Sequence, residues 1–362
     1  MYPLLAFGDL SALCGQIDGR GVLQVTRTLM NTLFVQTQGS YLSLDHETIQ
    51  IKVYGERRMQ IPMHHISGIV LFGNVMMSPF LVHRCAADGR HIVLCDVNGR
   101  FQARIVGPTS GNVFLRRAQY EASDDHGVKL DMACSFVEGK IRGARHVIQR
   151  AYRDYKDDDL KKVADDIGNL VPRLHEATAV DEVRGIEGAA ASQYFKVFPK
   201  MLRNPDVIFS RRTRRPPRDP VNAVLSFVYS MLTRDCISAV ECVGLDPQVG
   251  FLHELRPGRP ALALDLMEEF RHSFADRIVL SLFNRSQLKE GNFNERPGGA
   301  VFLNDEGRKT VIVAYQERKQ DEVAHPLFEQ PVPIGLLPYI QARVLARRLR
   351  GDIDEYVAFR WR

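Results

Sequence analysis

From Thr28 to about Gly107, apolar residues recur at every second position in short runs. TLFVQ, SYLSL, TIQIKV, RMQIP, SGIVLF, HIVLC and FQARIV carry the pattern, and that period predicts strands with one face buried. Gly39, Asp45–His46, Gly55–Glu56, Gly73–Asn74 and Asn98–Gly99 fall between the runs and supply turns. One helix, from about Ser78 to Ala87, is expected to interrupt the strands. Residues 1–27 are Gly-rich and weakly patterned, which predicts a poorly ordered leader.

After Pro108 the spacing of apolar residues changes to three and four. A helical stretch is expected from Asn112 to about Tyr155, with Lys140, Arg142, Arg145 and Arg150 on another side. KDDDLKKVADD, at 156–166, reads as an exposed helix face, and the following helix holds Glu187. A further helix is strongly signalled, with Asp219 to cap it, Pro220 in its first turn and Gly244 to end it. AVFLNDEGRKTVIVAY suggests a hairpin with its turn at Asp305–Gly307. A last helix, about Gly335 to Gly351, bears Arg343, Arg347, Arg348 and Arg350. The expected fold class is α+β and multidomain: a leader (1–27), a small β-rich N-terminal domain (28–107) and a larger all-α catalytic domain (108–362).

Composition narrows the class only moderately. Hydrophobic residues make up 45% and charged residues 25% of 362, as in globular proteins with a substantial core. No apolar run reaches the ~18 residues of a membrane span. The six cysteines are scattered without a C-x-x-C pair, which argues against structural zinc and favours a reducing cytoplasm. Net charge is only +5, but Arg211, Arg212, Arg214, Arg215 and Arg218 fall within RRTRRPPR, which contains no acid. Such a cluster is an electrostatic footprint for nucleic acid.

Candidate chemistry gathers near that cluster. Leu262, Leu266, Phe270, Phe274, Ile278 and Leu282 repeat every four residues and predict a buried stripe. Asp265, Glu268, Glu269, His272 and Asp276 then fall on the opposite side, which by itself describes a solvated face. His253 lies in a Gly/Pro-rich connection able to fold back over the start of that helix. Glu187 stands beside Gly188, Ala189, Ala190, Ala191 and Ser192, a surface small enough for another backbone to approach. Its partner is expected to be Arg184, Arg203 or a metal ion. One imidazole with two or three carboxylates suits a single Mg²⁺ or Mn²⁺, able to polarise a phosphoryl oxygen.

RGIEGAAASQYF, RRPPRDPVNAVLSFVYSML, GLDPQVGFLH and GRPALALDLMEEFR resemble, in this order, the Cas-one family of CRISPR-associated endonucleases and integrases. NTLFVQTQGSYLSLD and QARVLARRLRGDIDEY extend the likeness over roughly Thr28 to Arg362, and it is closest to members from subtype I-C systems. The resemblance implies metal ligands at Glu187, His253 and Glu268, with Asp265 assisting. Periodicity alone leaves Glu268 and Glu269 equivalent, and the family position selects Glu268. The resemblance also implies a homodimer formed through the β domains and a complex with a Cas-two dimer. In some systems a Cas-four nuclease takes part. The implied reaction inserts short double-stranded DNA into a CRISPR repeat, through attack of a 3′-hydroxyl on a phosphodiester. A stand-alone nuclease of branched DNA and a non-catalytic DNA scaffold are the competing readings.

Overall fold

The computed structural model describes residues 26–29, 32–35, 37–66, 68–96, 101–105, 107, 113–325 and 331–361. The expected leader lies outside these except for its last two residues, and so does the Asn98–Gly99 turn; the first strand begins at Thr26. Among the described residues, nine strands and one α-helix form the N-terminal part. They are β1 (Thr26–Leu29), β2 (Thr32–Val35), β3 (Ser40–Asp45), β4 (Thr48–Val53), β5 (Glu56–Pro62), β6 (Gly68–Phe72), β7 (Met76–Met77), β8 (His91–Cys95), β9 (Phe101–Ile105) and α1 (Pro79–Ala87). β1-β2-β6-β8-β9 make one sheet and β5-β4-β3-β7 a second. Ser78 caps α1 by accepting from the Leu81 N–H.

β6 is buried along its whole length because its two faces serve two cores. Ile69 and Leu71 pack with Leu33, Leu42, Ile49 and Leu81 between the sheets. Val70 and Phe72 join Val93 and Cys95 in the core of the helical part. Alternation therefore fixes both the inside of the β-rich part and its seam with the helices.

The second part is helical: α2 (Val113–Asp124), α3 (His126–Tyr155), α4 (Asp158–Gly168), α5 (Leu170–His175), α6 (Val180–Met201), α7 (Pro220–Cys242), α8 (Ala261–Phe270) and α9 (Arg277–Asn284). A hairpin, β10 (Phe293–Arg296) and β11 (Ala300–Leu303), precedes α10 (Asp305–Gln320) and α11 (Leu337–Leu349). The helical stretch expected from Asn112 to about Tyr155 contains two helices, because the Asp125 carboxylate accepts from the Val128 N–H and restarts the chain as α3. The hairpin also lies earlier than expected, turning at Gly298–Gly299, both with positive φ. Asp305–Gly307 instead opens α10, where Asn304 accepts from the Gly307 N–H and Asp305 and Glu306 face the positive helix end. Val311, Ile312 and Tyr315 bury at helical spacing, so packing overrides their β preference. α7 is apolar and long enough to cross a bilayer by composition, and most of it is buried within the chain's own core.

α3 is the central element and packs against α4, α6 and α8. Its Gly139 permits the close approach to α8: a Cβ there would lie 2.9 Å from the Ala358 Cβ and 3.2 Å from the Glu269 Cγ. The predicted stripe from Leu262 to Leu282 is buried throughout. A four-residue repeat drifts by about 40° per step on an α-helix, and a wider π-helical turn at Arg271–Asp276, between α8 and α9, winds it back. The expectation of a solvated opposite face fails. Asp265, Glu268, Glu269, His272 and Asp276 are all buried, because charged and polar groups from α3, α7, the 251–253 loop and the C-terminal segment meet them there.

Candidate metal and DNA site

Asp265 organises the loop that carries His253. Its carboxylate accepts from the backbone N–H groups of Phe251 (2.6 Å), Leu252 (3.0 Å) and His253 (3.0 Å). The same group meets His253 Nδ1 at 2.7 Å. An imidazole that donates through Nδ1 keeps its lone pair on Nε2, the form suited to binding a cation. Gly250 makes this cradle possible, since a Cβ there would sit 2.5 Å from Asp265 Oδ2. Arg184 adds a tie by donating to the Leu252 carbonyl at 2.8 Å. Arg184 is thus committed to the loop, and Arg203 lies over the Tyr155 ring at 3.6 Å.

The partner of Glu187 is neither of those arginines but Lys140 of α3. The Lys140 ammonium contacts Glu187 Oε1 and lies 2.7 Å from Glu268 Oε2, so one cation sits between acids from α6 and α8. Lys140 is 2% exposed and Glu187 27% exposed, so one end of this bridge is sealed and the other open. Glu268 Oε2 is buried and faces the Lys140 ammonium. Its other oxygen accepts from Arg271 Nη1 at 2.6 Å. Burial pushes the Glu268 carboxyl up, but Arg271, Lys140 and His253 more than offset this and hold it well below the usual carboxylate range.

The adjacent acid faces elsewhere. Glu269 accepts from the Tyr356 hydroxyl, from Gln341 Nε2 at 2.9 Å and from the Phe359 N–H at 2.7 Å. Burial pushes its carboxyl up to about 7, with those donors pulling the other way. The structure therefore brings together Glu187, Glu268, Lys140 and Arg271, with His253 held on its loop by Asp265, while Glu269 belongs to the docking of the C-terminal segment.

Sequence reasoning missed Lys140 as part of the site, although a signal was present. Ala133, Phe136, Val137, Ile141, Ala144, Val147, Ile148 and Ala151 form the buried stripe of α3, and Lys140 falls on that stripe. A lysine at a core position calls for a buried anion. The small residues after Glu187 also behave unlike the expectation: a Cβ at Gly188 would meet nothing within 4 Å, and Gly188 and Ala189 are exposed. No backbone packs on Gly188, so the surface beside Glu187 is open.

Four of the five clustered arginines, Arg211, Arg214, Arg215 and Arg218, are exposed. Arg212 departs from the expected role of gripping DNA because it is turned inward. It donates to Asn222 Oδ1 (2.7 Å), the Thr213 carbonyl (2.6 Å) and Ser226 Oγ (3.2 Å). Its guanidinium lies 5.4 Å from the centre of the Tyr229 ring, with Arg271 4.5 Å from the same ring. The arginine loop is thereby tied to the residue that pairs with Glu268.

Among the described residues, no three His, Cys, Asp or Glu side chains are gathered so as to hold a metal ion as they stand. The donors nevertheless fit one: two carboxylates already converge on a cation, and His253 has its Nδ1 engaged by Asp265.

The family model for CRISPR associated protein Cas1 matches residues 33–317, and the chain belongs to that family. A relative from Moorella thermoacetica, named CRISPR-associated endonuclease Cas1 1, is 51% identical over 92% of this chain and 99% of its own. A CRISPR-associated exonuclease Cas4/endonuclease Cas1 fusion from Geobacter sulfurreducens is 35% identical over 94% of this chain and 61% of the fusion. Among solved structures, a casposase bound to integration product superimposes with a TM-score of 0.80 at 24% identity, covering 91% of this chain and 93% of that one. A chain of a Cas6-RT-Cas1--Cas2 complex gives 0.77 at 22% identity, covering 93% of this chain and 37% of that one. These two likenesses establish the fold.

Proposed function

We propose that this Cas1 protein is a metal-dependent DNA endonuclease and integrase that inserts short DNA duplexes into a CRISPR repeat. The carrying observation is the convergence of Glu187 and Glu268, from separate helices, on one cation. Glu187, Glu268 Oε2 and His253 Nε2 would hold a Mg²⁺ or Mn²⁺ ion, which when bound polarises the phosphoryl oxygens of the scissile phosphate. Asp265 holds His253 in the donor tautomer and tethers its loop. Arg271 keeps Glu268 charged and in place. The open surface at Gly188 and Ala189 admits DNA, and Arg211, Arg214, Arg215 and Arg218 contact its phosphates. The attacking group is the 3′-hydroxyl of the incoming strand; with water in that place the same site cuts DNA.

The names of the relatives support the endonuclease assignment, and the Cas4 fusion and Cas2-containing complex support partnership with such proteins. The β-rich part is the proposed homodimer surface, with Tyr41 and Met76, paired across β3 and β7, and Phe80 exposed there. Strand transfer of a labelled 3′-hydroxyl duplex into a repeat-containing plasmid, with Mn²⁺, tests the assignment. Wild-type protein, with a purified Cas2 partner, gives joined product, and Glu187→Ala or His253→Ala gives none while remaining folded. Normal product from either variant would refute the metal-site reading and leave the DNA scaffold.

A further inference from the structure

Lys140 occupies the space into which Glu187 and Glu268 converge, and the integrase chemistry assigns it no task. Its ammonium meets one oxygen of each carboxylate and is 2% exposed, so it is sealed from solvent on the α3 side. Glu268 divides its oxygens: Oε1 goes to Arg271, and Oε2 has the lysine alone. Two cationic side chains thus face Glu187 and Glu268 without a metal ion. Holding two carboxylates together in one site requires a cation or a proton between them. Here the chain supplies its own cation.

Resting on the metal-site reading above, we propose that Lys140 is a positioning residue that stands in for the divalent cation until DNA arrives. It holds Glu187 and Glu268 converged and charged, and it competes for the oxygens that a metal ion would take. Loading the site requires Lys140 to release Glu268 Oε2 and Glu187 Oε1. The released ammonium, still rooted in α3 at a buried position, then has no anion within the pocket. A divalent ion added beside Lys140 and Arg271 also places three cationic groups around Glu187 and Glu268. A DNA phosphate supplies the missing negative charge and a new partner for the lysine. Metal binding and DNA binding are therefore coupled through this side chain, each favouring the other by the same factor. The device keeps the site weakly loaded when no DNA is present and so limits idle nuclease activity.

Calorimetric titration of Mn²⁺ into the full chain, with and without a short duplex in Mg²⁺-free buffer, tests this. Wild-type protein binds Mn²⁺ weakly alone and at least tenfold more tightly with duplex. Lys140→Met binds Mn²⁺ at least tenfold more tightly than wild type without DNA, and the duplex adds little. Lys140→Arg, which keeps the charge, restores the dependence on DNA. Should Lys140→Met prove too unstable to titrate, melting temperature gives the second readout: Mn²⁺ raises it more in this variant than in wild type. Equal Mn²⁺ affinity, or equal thermal shift, in wild type and Lys140→Met overturns the proposal while leaving the metal site intact, provided Glu187→Gln weakens binding in both. Absence of Mn²⁺ binding by wild type and Lys140→Met, with and without duplex, refutes the metal-site reading itself.

Discussion

Glu268 and Glu269 are neighbours on α8, equally buried, yet their surroundings differ in kind. Glu268 is met by two cations from α3 and the π-helical turn, and its carboxyl is held well below the usual range. Glu269 is met by neutral donors from α11 and the segment around Tyr356 to Phe359, and burial pushes its carboxyl up to about 7. One acid is kept charged by cationic partners, one of which stands where a metal ion would bind. The other is saturated, the arrangement of a structural anchor. Burial alone does not separate function from architecture; the charge and satisfaction of the partners do.

The contrast breaks most sharply under substitution of the acids that face Lys140. Glu187→Ala should lower strand transfer on the order of 10³-fold, the scale of several kcal/mol of transition-state stabilisation. Its melting temperature should change little, because Glu187 is partly exposed; single-turnover assays and thermal scans measure both. Glu269→Ala should do the reverse. It strands the Tyr356 O–H donor and the Phe359 N–H, at about 1–3 kcal/mol for each unsatisfied group, while Gln341 keeps the Val357 carbonyl, and should appear as a loss in urea unfolding. If Glu269→Ala leaves stability intact but abolishes strand transfer, the division between the two acids is wrong.

A smaller effect is expected at Gly250. Gly250→Ala forces the loop away from Asp265 and removes N–H donors from its carboxylate. Strand transfer should fall about 10²-fold, toward the effect of an unsupported ligand, and Mn²⁺ affinity should fall with it. The smallest effects separate the arginines. Arg214→Ala should weaken duplex binding less than tenfold and reduce the salt slope by about one phosphate contact. Arg212→Ala should leave the salt slope unchanged and lower stability, because its guanidinium is engaged by Asn222, Thr213 and Ser226. Fluorescence anisotropy across a salt series distinguishes them.

These contrasts also mark how far the sequence discloses the molecule. The strands from Thr32 to Cys95 and the helix at Ser78 were legible because period-two alternation and an N-cap are local signals. The start of α7 at Asp219–Pro220 was legible for the same reason. The acidic side of α8 was misread because helical spacing reports which residues share a face and not what that face meets. Its partners come from α3, α6, α7 and the C-terminal segment, as far along the chain as Lys140 is from Glu268. Lys140 was expected on the polar side of its helix with Arg142, Arg145 and Arg150, whereas its spacing from Ala133, Phe136 and Ala144 places it on the buried stripe, and naming Glu187 and Glu268 as its partners requires the fold. The hairpin was misplaced because TVIVAY has strand propensity that burial on a helix overrides.

If Glu187, His253 and Glu268 share one divalent cation at the position Lys140 guards, anomalous diffraction will show it most directly. The crystals would be grown from the full chain with Mn²⁺ and a short duplex. One manganese peak is expected within ligand distance of Glu187, Glu268 Oε2 and His253 Nε2, with the Lys140 ammonium moved to a phosphate. Manganese bound elsewhere, with Lys140 still bridging the two carboxylates, would contradict the shared-cation site.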